Sequence, residues 1–273
     1  SEYVSSGRLR AHPLGARILG VEEPSRYTGE PFDLKADLPL AERLMAAARK
    51  GSGPFAGLTG DLRLAYRSGV DQTLQPFRVY VPARHKRRLL VTLHGVAGDE
   101  NSYFGPFTGG PVAELGGGRG DLVAAPHGRG PVGGYVGASR QDVLDVRERV
   151  LALFGLDGKQ VFLTGHSMGA MGAFQIVFEK PELWAAAAPV AGTIGVSRRM
   201  FERNPEVPVL LAQGGKDRLA LPSLARTVAG YAKETLRTFE YREYPEADHF
   251  SIGAASIKDV FDFCDRVAAG RAR

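Results

Sequence analysis

The chain has 273 residues, a formal net charge of +5, 44% hydrophobic and 24% charged residues. That balance buries a core of domain size and excludes an intrinsically disordered chain. One cysteine, Cys264, excludes an internal disulfide, and no apolar run reaches membrane-spanning length.

Residues 1–61 are rich in Gly, Pro and charge. They hold one helix-like stretch, 40–49, with Ala41, Leu44, Met45 and Ala48 on one face. This segment reads as an N-terminal extension packed on the body, to which its residues assign no chemistry and whose role is left open, and 62–273 as the catalytic domain. The alternation at 62–66 predicts a half-buried strand, and 76–81 its antiparallel partner. The run Arg84-His85-Lys86-Arg87-Arg88 has no interleaved aromatic residues, so it reads as a solvated loop, and no nucleic-acid partner is expected. Apolar runs at 89–93 and 122–125 predict core strands. Ser139 with Asp142 suggests a capping box, followed by a helix face at Val143, Val146, Val150 and Phe154. Further strands are expected at 161–163, 185–190, 207–213 and 238–244. Pro222 suits the first turn of a helix reaching towards 235. Ile257, Val260, Phe261, Cys264 and Val267 line a last helix, where Cys264 is expected to be buried and inert. Strands alternating with helices imply an α/β fold: a mostly parallel sheet covered on both faces, with ligands at the carboxyl ends of the strands.

The most informative stretch is Gly165-His166-Ser167-Met168-Gly169, directly after the apolar run Val161-Phe162-Leu163 and before a helix-compatible run to about 180. Strand, sharp Gly-x-Ser-x-Gly turn and helix form a nucleophile elbow. A side chain at Gly165 or Gly169 is expected to collide with a neighbouring strand or helix. Downstream, Val207-Pro208-Val209-Leu210-Leu211-Ala212-Gln213 runs into Gly214-Gly215-Lys216-Asp217, and Tyr244-Pro245-Glu246-Ala247-Asp248-His249-Phe250 follows another strand. Ser167, Asp217 and His249 thus come in the order Ser, acid, His. In that constellation the hydroxyl attacks, His249 takes and returns its proton, and Asp217 orients and charge-balances the ring. Glu246 and Asp248 are rival acids by proximity; a residue next to the histidine points away from it, so Asp217 is preferred and Glu246 is the weaker alternative.

An oxyanion needs two N–H donors. Met168 supplies one at the head of the helix, and the His94-Gly95-Val96-Ala97-Gly98 turn supplies the other, assigned to Val96 with Ala97 as fallback. His94 and His127 read as loop-bracing residues. Phe104, Tyr135 and Trp184 are candidate pocket residues, with Phe107 beside Phe104 as an acyl-side wall. Trp184 is read first as a packing residue and second as a substrate platform, and the Gly-rich loop of Tyr135 reads equally as a plain surface loop. No metal-site spacing and no phosphate-cradling loop is found, so no metal or cofactor is expected.

The set Leu93-His94-Gly95, Ala125-Pro126-His127-Gly128-Arg129-Gly130, Gly165-His166-Ser167-Met168-Gly169, Ala188-Pro189-Val190-Ala191-Gly192, Gly214-Gly215-Lys216-Asp217 and Asp248-His249-Phe250 resembles the esterase branch of the α/β-hydrolase superfamily. That branch includes poly(3-hydroxybutyrate) depolymerases, feruloyl esterases and predicted single-domain peptidases. The resemblance spans the chain from about Phe77 onward. It departs at Ala170, where many relatives carry Gly, and at the oxyanion loop, which lacks a run of three Gly. It implies an α/β-hydrolase fold and a serine carboxylic-ester hydrolase acting on small-molecule or polymer-end esters. A serine peptidase of the same fold is the alternative within the class, and a non-catalytic binding protein on a hydrolase scaffold the alternative outside it. No large insertion between 188 and 207 predicts the absence of a lid domain. The chain starts at Ser1 and shows no signal peptide, compatible with a trimmed form, so compartment and oligomeric state are left open.

Overall fold

The computed structural model describes residues 57–85, 88–108 and 112–271, together with scattered residues between 38 and 50. Its elements, in chain order, are β1 (Gly60–Arg67), β2 (Leu74–Val81), β3 (Arg88–Leu93), α1 (Val112–Arg119), β4 (Asp121–Pro126), α2 (Ala138–Phe154) and β5 (Val161–His166). There follow α3 (Met168–Glu179), β6 (Ala186–Val190), α4 (Arg198–Arg203), β7 (Val209–Gly214), α5 (Pro222–Thr235), β8 (Phe239–Tyr244) and α6 (Ile252–Ala268). The eight strands form one sheet in the order β1-β2-β4-β3-β5-β6-β7-β8. β1 and β2 are antiparallel to each other, β2 is antiparallel to β4, and β4-β3-β5-β6-β7-β8 run parallel.

The period-2 alternation of the strands divides the core into two layers. Leu89, Val91, Leu93, Leu163, Val209 and Leu211 face one side with Val143, Val146 and Val150 of α2, Phe174 and Val177 of α3, and Val228 and Ala232 of α5. Leu90, Phe162, Leu210 and Ala212 face the other side with Val112 of α1 and Ile257, Val260 and Phe261 of α6. Both faces being covered explains why β3, β4, β5, β6 and β7 are buried along their whole length. Each large side chain so buried contributes about 1.5–3 kcal/mol. Cys264 lies in this second layer, and burial pushes its thiol well above the usual range. No helix among the described residues is long and apolar enough to cross a membrane.

Three expectations need correction or fall away. Ser139 and Asp142 do not cap α2. Ser139 Oγ donates to the carbonyls of Gly133 (2.8 Å) and Val136, while Asp142 accepts from Tyr66 Oη (2.9 Å) and Arg129, so tertiary partners claim both side chains. Arg88 does not belong to a solvated loop: it is buried and pairs with Asp121 and Asp265, each at 2.6 Å. Arg84 and His85 are exposed, and Lys86 and Arg87 lie outside the described residues. The extension 1–61 falls mostly outside them too. Leu38, Pro39, Glu42, Arg43, Met45, Ala46 and Arg49 are helical, but Ala41, Leu44 and Ala48 are not among the described residues.

Candidate active site

Ser167 stands between β5 and α3 with φ 55° and ψ −114°, a strained conformation for a residue with a side chain. The chain reverses here so tightly that a Cβ on Gly165 would lie 2.3 Å from the Gly169 carbonyl oxygen. One on Gly169 would lie 2.1 Å from the Leu93 oxygen of β3. Only hydrogen fits at either position. The Ser167 N–H donates to the Val190 carbonyl at the end of β6, fixing the turn to the neighbouring strand.

The structure brings Ser167, His249 and Asp217 together from three loops at the carboxyl ends of β5, β8 and β7. Ser167 Oγ lies 2.9 Å from His249 Nε2, and His249 Nδ1 lies 2.8 Å from Asp217 Oδ2. An Nδ1–H donating to the carboxylate leaves Nε2 as the acceptor for the serine hydroxyl. Asp217 Oδ1 accepts the N–H groups of Leu219 and Ala220, both at 2.8 Å. Burial pushes the Asp217 carboxyl up, but the His249 hydrogen bond and charge and these two N–H groups outweigh it. The carboxyl ends below its usual value and is ionised at neutral pH. The two rival acids face elsewhere. Glu246 pairs with exposed Lys216, and Asp248 Oδ1 accepts from the N–H groups of Phe250 and Ser251 and from Ser251 Oγ, closing the turn into α6.

The loop after β3 passes directly against the serine: a Cβ on Gly95 would lie 3.3 Å from Ser167 Cβ. Among the described residues no backbone carbonyl accepts the Val96 N–H, and Met168 heads α3, where first-turn N–H groups lack intrahelical acceptors. Ala97 is different. Its N–H is spent on the Pro131 carbonyl at 2.9 Å, and its φ is +70°. The fallback donor is therefore already occupied in this conformation.

Beneath this loop lies a buried polar layer. His94 Nε2 meets the His127 carbonyl at 2.9 Å, and His127 Nδ1 meets Glu100 Oε2 at 2.8 Å, so both histidines brace the ends of β3 and β4. Arg78 donates to Asn101 Oδ1 at 3.0 Å, and the Asn101 N–H donates to Asp99 Oδ1 at 2.8 Å. Burial, then the charge of Glu100, push the Asp99 carboxyl up to about 6.

The pocket candidates are not brought to the serine as an open wall. Tyr135 is fully buried; its hydroxyl reaches the His94 carbonyl at 3.3 Å and its ring packs where a Cβ on Gly172 would stand. It is a core brace. Trp184 is buried under Arg147 just ahead of β6, where Ala185 N–H meets the first residue of β5. That is the amino end of the strands, opposite Ser167. Phe104 is buried with the Arg78 guanidinium 4.5 Å from its ring. Phe107 packs on His166, ring centroids 4.7 Å apart. In each case an aromatic side chain was taken up by the core, which sequence position alone does not reveal.

His166 is the residue that sequence reasoning missed. It is buried, and its Nε2 lies 2.6 Å from the His249 carbonyl. Nothing in its own neighbourhood marks it: it is the last residue of β5, and the Gly-x-Ser-x-Gly pattern leaves the position before the serine open.

No family model and no curated protein matches the sequence. Solved structures do resemble it. A thermostable esterase matches with a TM-score of 0.63 and 21% identity over 76% of this chain, which spans 62% of that protein's length. FphF, a fluorophosphonate-binding serine hydrolase of Staphylococcus aureus, matches with a TM-score of 0.65 and 17% identity, covering 76% of this chain and 99% of that one. A ferulic acid esterase gives 0.64 and 13%, covering 76% and 98%. At these identities the likeness shows the fold. With the strand order and the serine turn after β5, it defines the chain as an α/β-hydrolase fold.

Proposed function

We propose that this chain is a serine hydrolase that cleaves carboxylic esters through an acyl-enzyme. The observation that carries the reading is the unbroken series from Ser167 Oγ through His249 to Asp217, at 2.9 and 2.8 Å, on a strained serine turn. Ser167 Oγ attacks the ester carbonyl carbon as its proton passes to His249 Nε2. The oxyanion so formed is held by the N–H groups of Val96 and Met168. Collapse breaks the ester C–O bond, and the departing alkoxide takes the proton from His249. Water then repeats the sequence on the acyl-enzyme and releases the acid. Asp217 stabilises the imidazolium in both halves. No cofactor takes part in this scheme.

Exposed apolar side chains on loops leaving the carboxyl ends of β4, β6 and β7 support an apolar substrate. Val132 and Val136 follow β4. Ile194, 63% exposed, lies two residues beyond Gly192, whose Cβ position abuts Ser167. Leu219, 48% exposed, lies two residues beyond Asp217. Apolar side chains at that end of the sheet favour esters with an apolar acyl or alcohol part over strongly charged ones.

The test is hydrolysis of p-nitrophenyl acetate and butyrate, with matched anilides, by the protein and by Ser167→Ala. The serine variant is expected to lose up to about a millionfold in kcat, together with covalent labelling by a fluorophosphonate. Undiminished turnover or labelling in that variant overturns the reading, and faster cleavage of anilides than of esters replaces esterase with amidase.

A further inference from the structure

The turn that presents Ser167 also reaches the base. His166, the residue before the serine, is buried with its ring 4.6 Å from that of His249 and 4.7 Å from that of Phe107. Its Nε2 lies 2.6 Å from the His249 carbonyl oxygen, which is an acceptor only, so Nε2 carries the proton and donates. Nδ1 is buried and has no hydrogen-bond partner. A Cβ on Gly95 would stand 3.0 Å from it, so that side is filled by the oxyanion-loop backbone. Burial, and next the charge of His249, push the His166 pKa down to about 3, so the ring is neutral at working pH.

The loop bearing His249 is tied elsewhere by Gly215 N–H to the Tyr244 carbonyl, by Lys216 N–H to the Ala247 carbonyl, and by the Asp248 turn. None of these bonds holds residue 249 itself. We propose that His166 is a positioning residue: through its Nε2–H it locks the backbone from which the His249 imidazole hangs. The inference rests on the serine-hydrolase reading above. Two features suit the role. A short bond to the backbone of the base limits its swing without engaging either of its ring nitrogens, which serve Ser167 and Asp217. A ring that stays uncharged adds no repulsion when His249 becomes an imidazolium. Orientation of this kind is worth much, since a misplacement of about 1 Å costs on the order of a hundredfold in rate.

The experiment compares His166→Phe, which keeps a ring but has no donor, with His166→Gln, which keeps a donor at the Nε2 position but no ring. Both are assayed for kcat, KM and Tm on a soluble p-nitrophenyl ester. The Phe variant is expected to lose roughly ten- to a hundredfold in kcat with KM unchanged. Gln is expected to recover most of that rate even where its Tm is lower. Wild-type kcat in the Phe variant overturns the proposal, as does an equal loss in both variants. Where the Phe variant does not fold, ¹⁵N resonances of the wild-type ring decide: a protonated Nε2 with a bare Nδ1 supports it, and a proton on Nδ1 overturns it. A wild-type protein that neither turns over esters nor takes up a fluorophosphonate removes the serine-hydrolase reading, and the proposal with it. Activity in the wild type with no response to His166→Phe removes the proposal alone.

Discussion

Replacing Asp217 by Asn tests the proposed mechanism most sharply, because the surroundings dictate how the new amide must sit. Asp217 Oδ1 accepts two backbone N–H groups, from Leu219 and Ala220, at 2.8 Å. An Asn at this position keeps its carbonyl oxygen there, since a flipped amide would set an NH2 against two donors at a cost of about 1–3 kcal/mol for each unpaired group. The NH2 then occupies the Oδ2 position, 2.8 Å from His249 Nδ1. His249 must answer with an unprotonated Nδ1, which moves its proton to Nε2, the atom 2.9 Å from Ser167 Oγ. A protonated Nε2 cannot take the serine proton. The packing is unchanged and the chemistry is blocked, so kcat should fall by about 10⁴, equivalent to about 5 kcal/mol of barrier. Steady-state hydrolysis of p-nitrophenyl butyrate at neutral pH measures it, with circular dichroism as the check on folding. Glu246→Gln serves as the comparison, because its carboxylate pairs with exposed Lys216, and it should leave kcat unchanged. A folded Asp217→Asn protein within about tenfold of wild type would falsify the assignment of this carboxylate, and a large loss in Glu246→Gln would transfer the role.

Two other perturbations probe the frame around the site. In Gly192→Ala the new methyl would lie 2.3 Å from the Ser167 carbonyl oxygen and 2.9 Å from Ala170 Cβ, so the serine turn must shift; we expect about 1–3 kcal/mol of destabilisation in a urea titration together with slower fluorophosphonate labelling, and an unchanged midpoint and labelling rate would refute the clash. Asp99 binds its proton more tightly folded, up to about 6, than at its ordinary value of 3.8, so the stability it contributes is fully present below about 4 and is lost as pH rises through about 6. Asp99→Asn keeps the acceptor for the Asn101 N–H and should flatten that slope of denaturation midpoint against pH, whereas an unaltered slope would clear Asp99 as its source.

The parts of the fold legible from the chain were those written in short-range patterns. Fully buried parallel strands appear as apolar runs because both faces are covered, and β3, β4, β5 and β7 lie where those runs predict. The serine turn was legible because sterics leave glycine alone at 165 and 169. What escaped depended on tertiary contact. The helix α1 was missed because Gly116-Gly117-Gly118 reads as a loop; a Cβ on Gly116 would stand 2.8 Å from Val123, so the glycine serves close packing on β4. Tyr135 was a candidate for the pocket border on a Gly-rich loop, yet it is fully buried, and Trp184 is buried as its packing reading expects. Arg88 looked solvated beside other cations, but two carboxylates from β4 and α6 draw it inside.

The same logic explains why the contact from His166 to the His249 backbone was invisible in the sequence while the serine turn was not. The turn at 165–169 is specified locally, by two glycines and a strained serine, and so it leaves a signature. The contact from His166 to the His249 backbone joins residues 83 apart, and nothing in either neighbourhood encodes it. Its consequence is nevertheless local. Residues 166 and 167 are consecutive, so one turn sets both the position of the Ser167 hydroxyl and the contact to the loop that carries His249. The same turn thus meets His249 at two points, its ring through Ser167 Oγ at 2.9 Å and its backbone through His166 Nε2 at 2.6 Å. On the proposed reading, a displacement of the turn carries Ser167 and His249 together, whereas loss of the His166 donor lets His249 move alone.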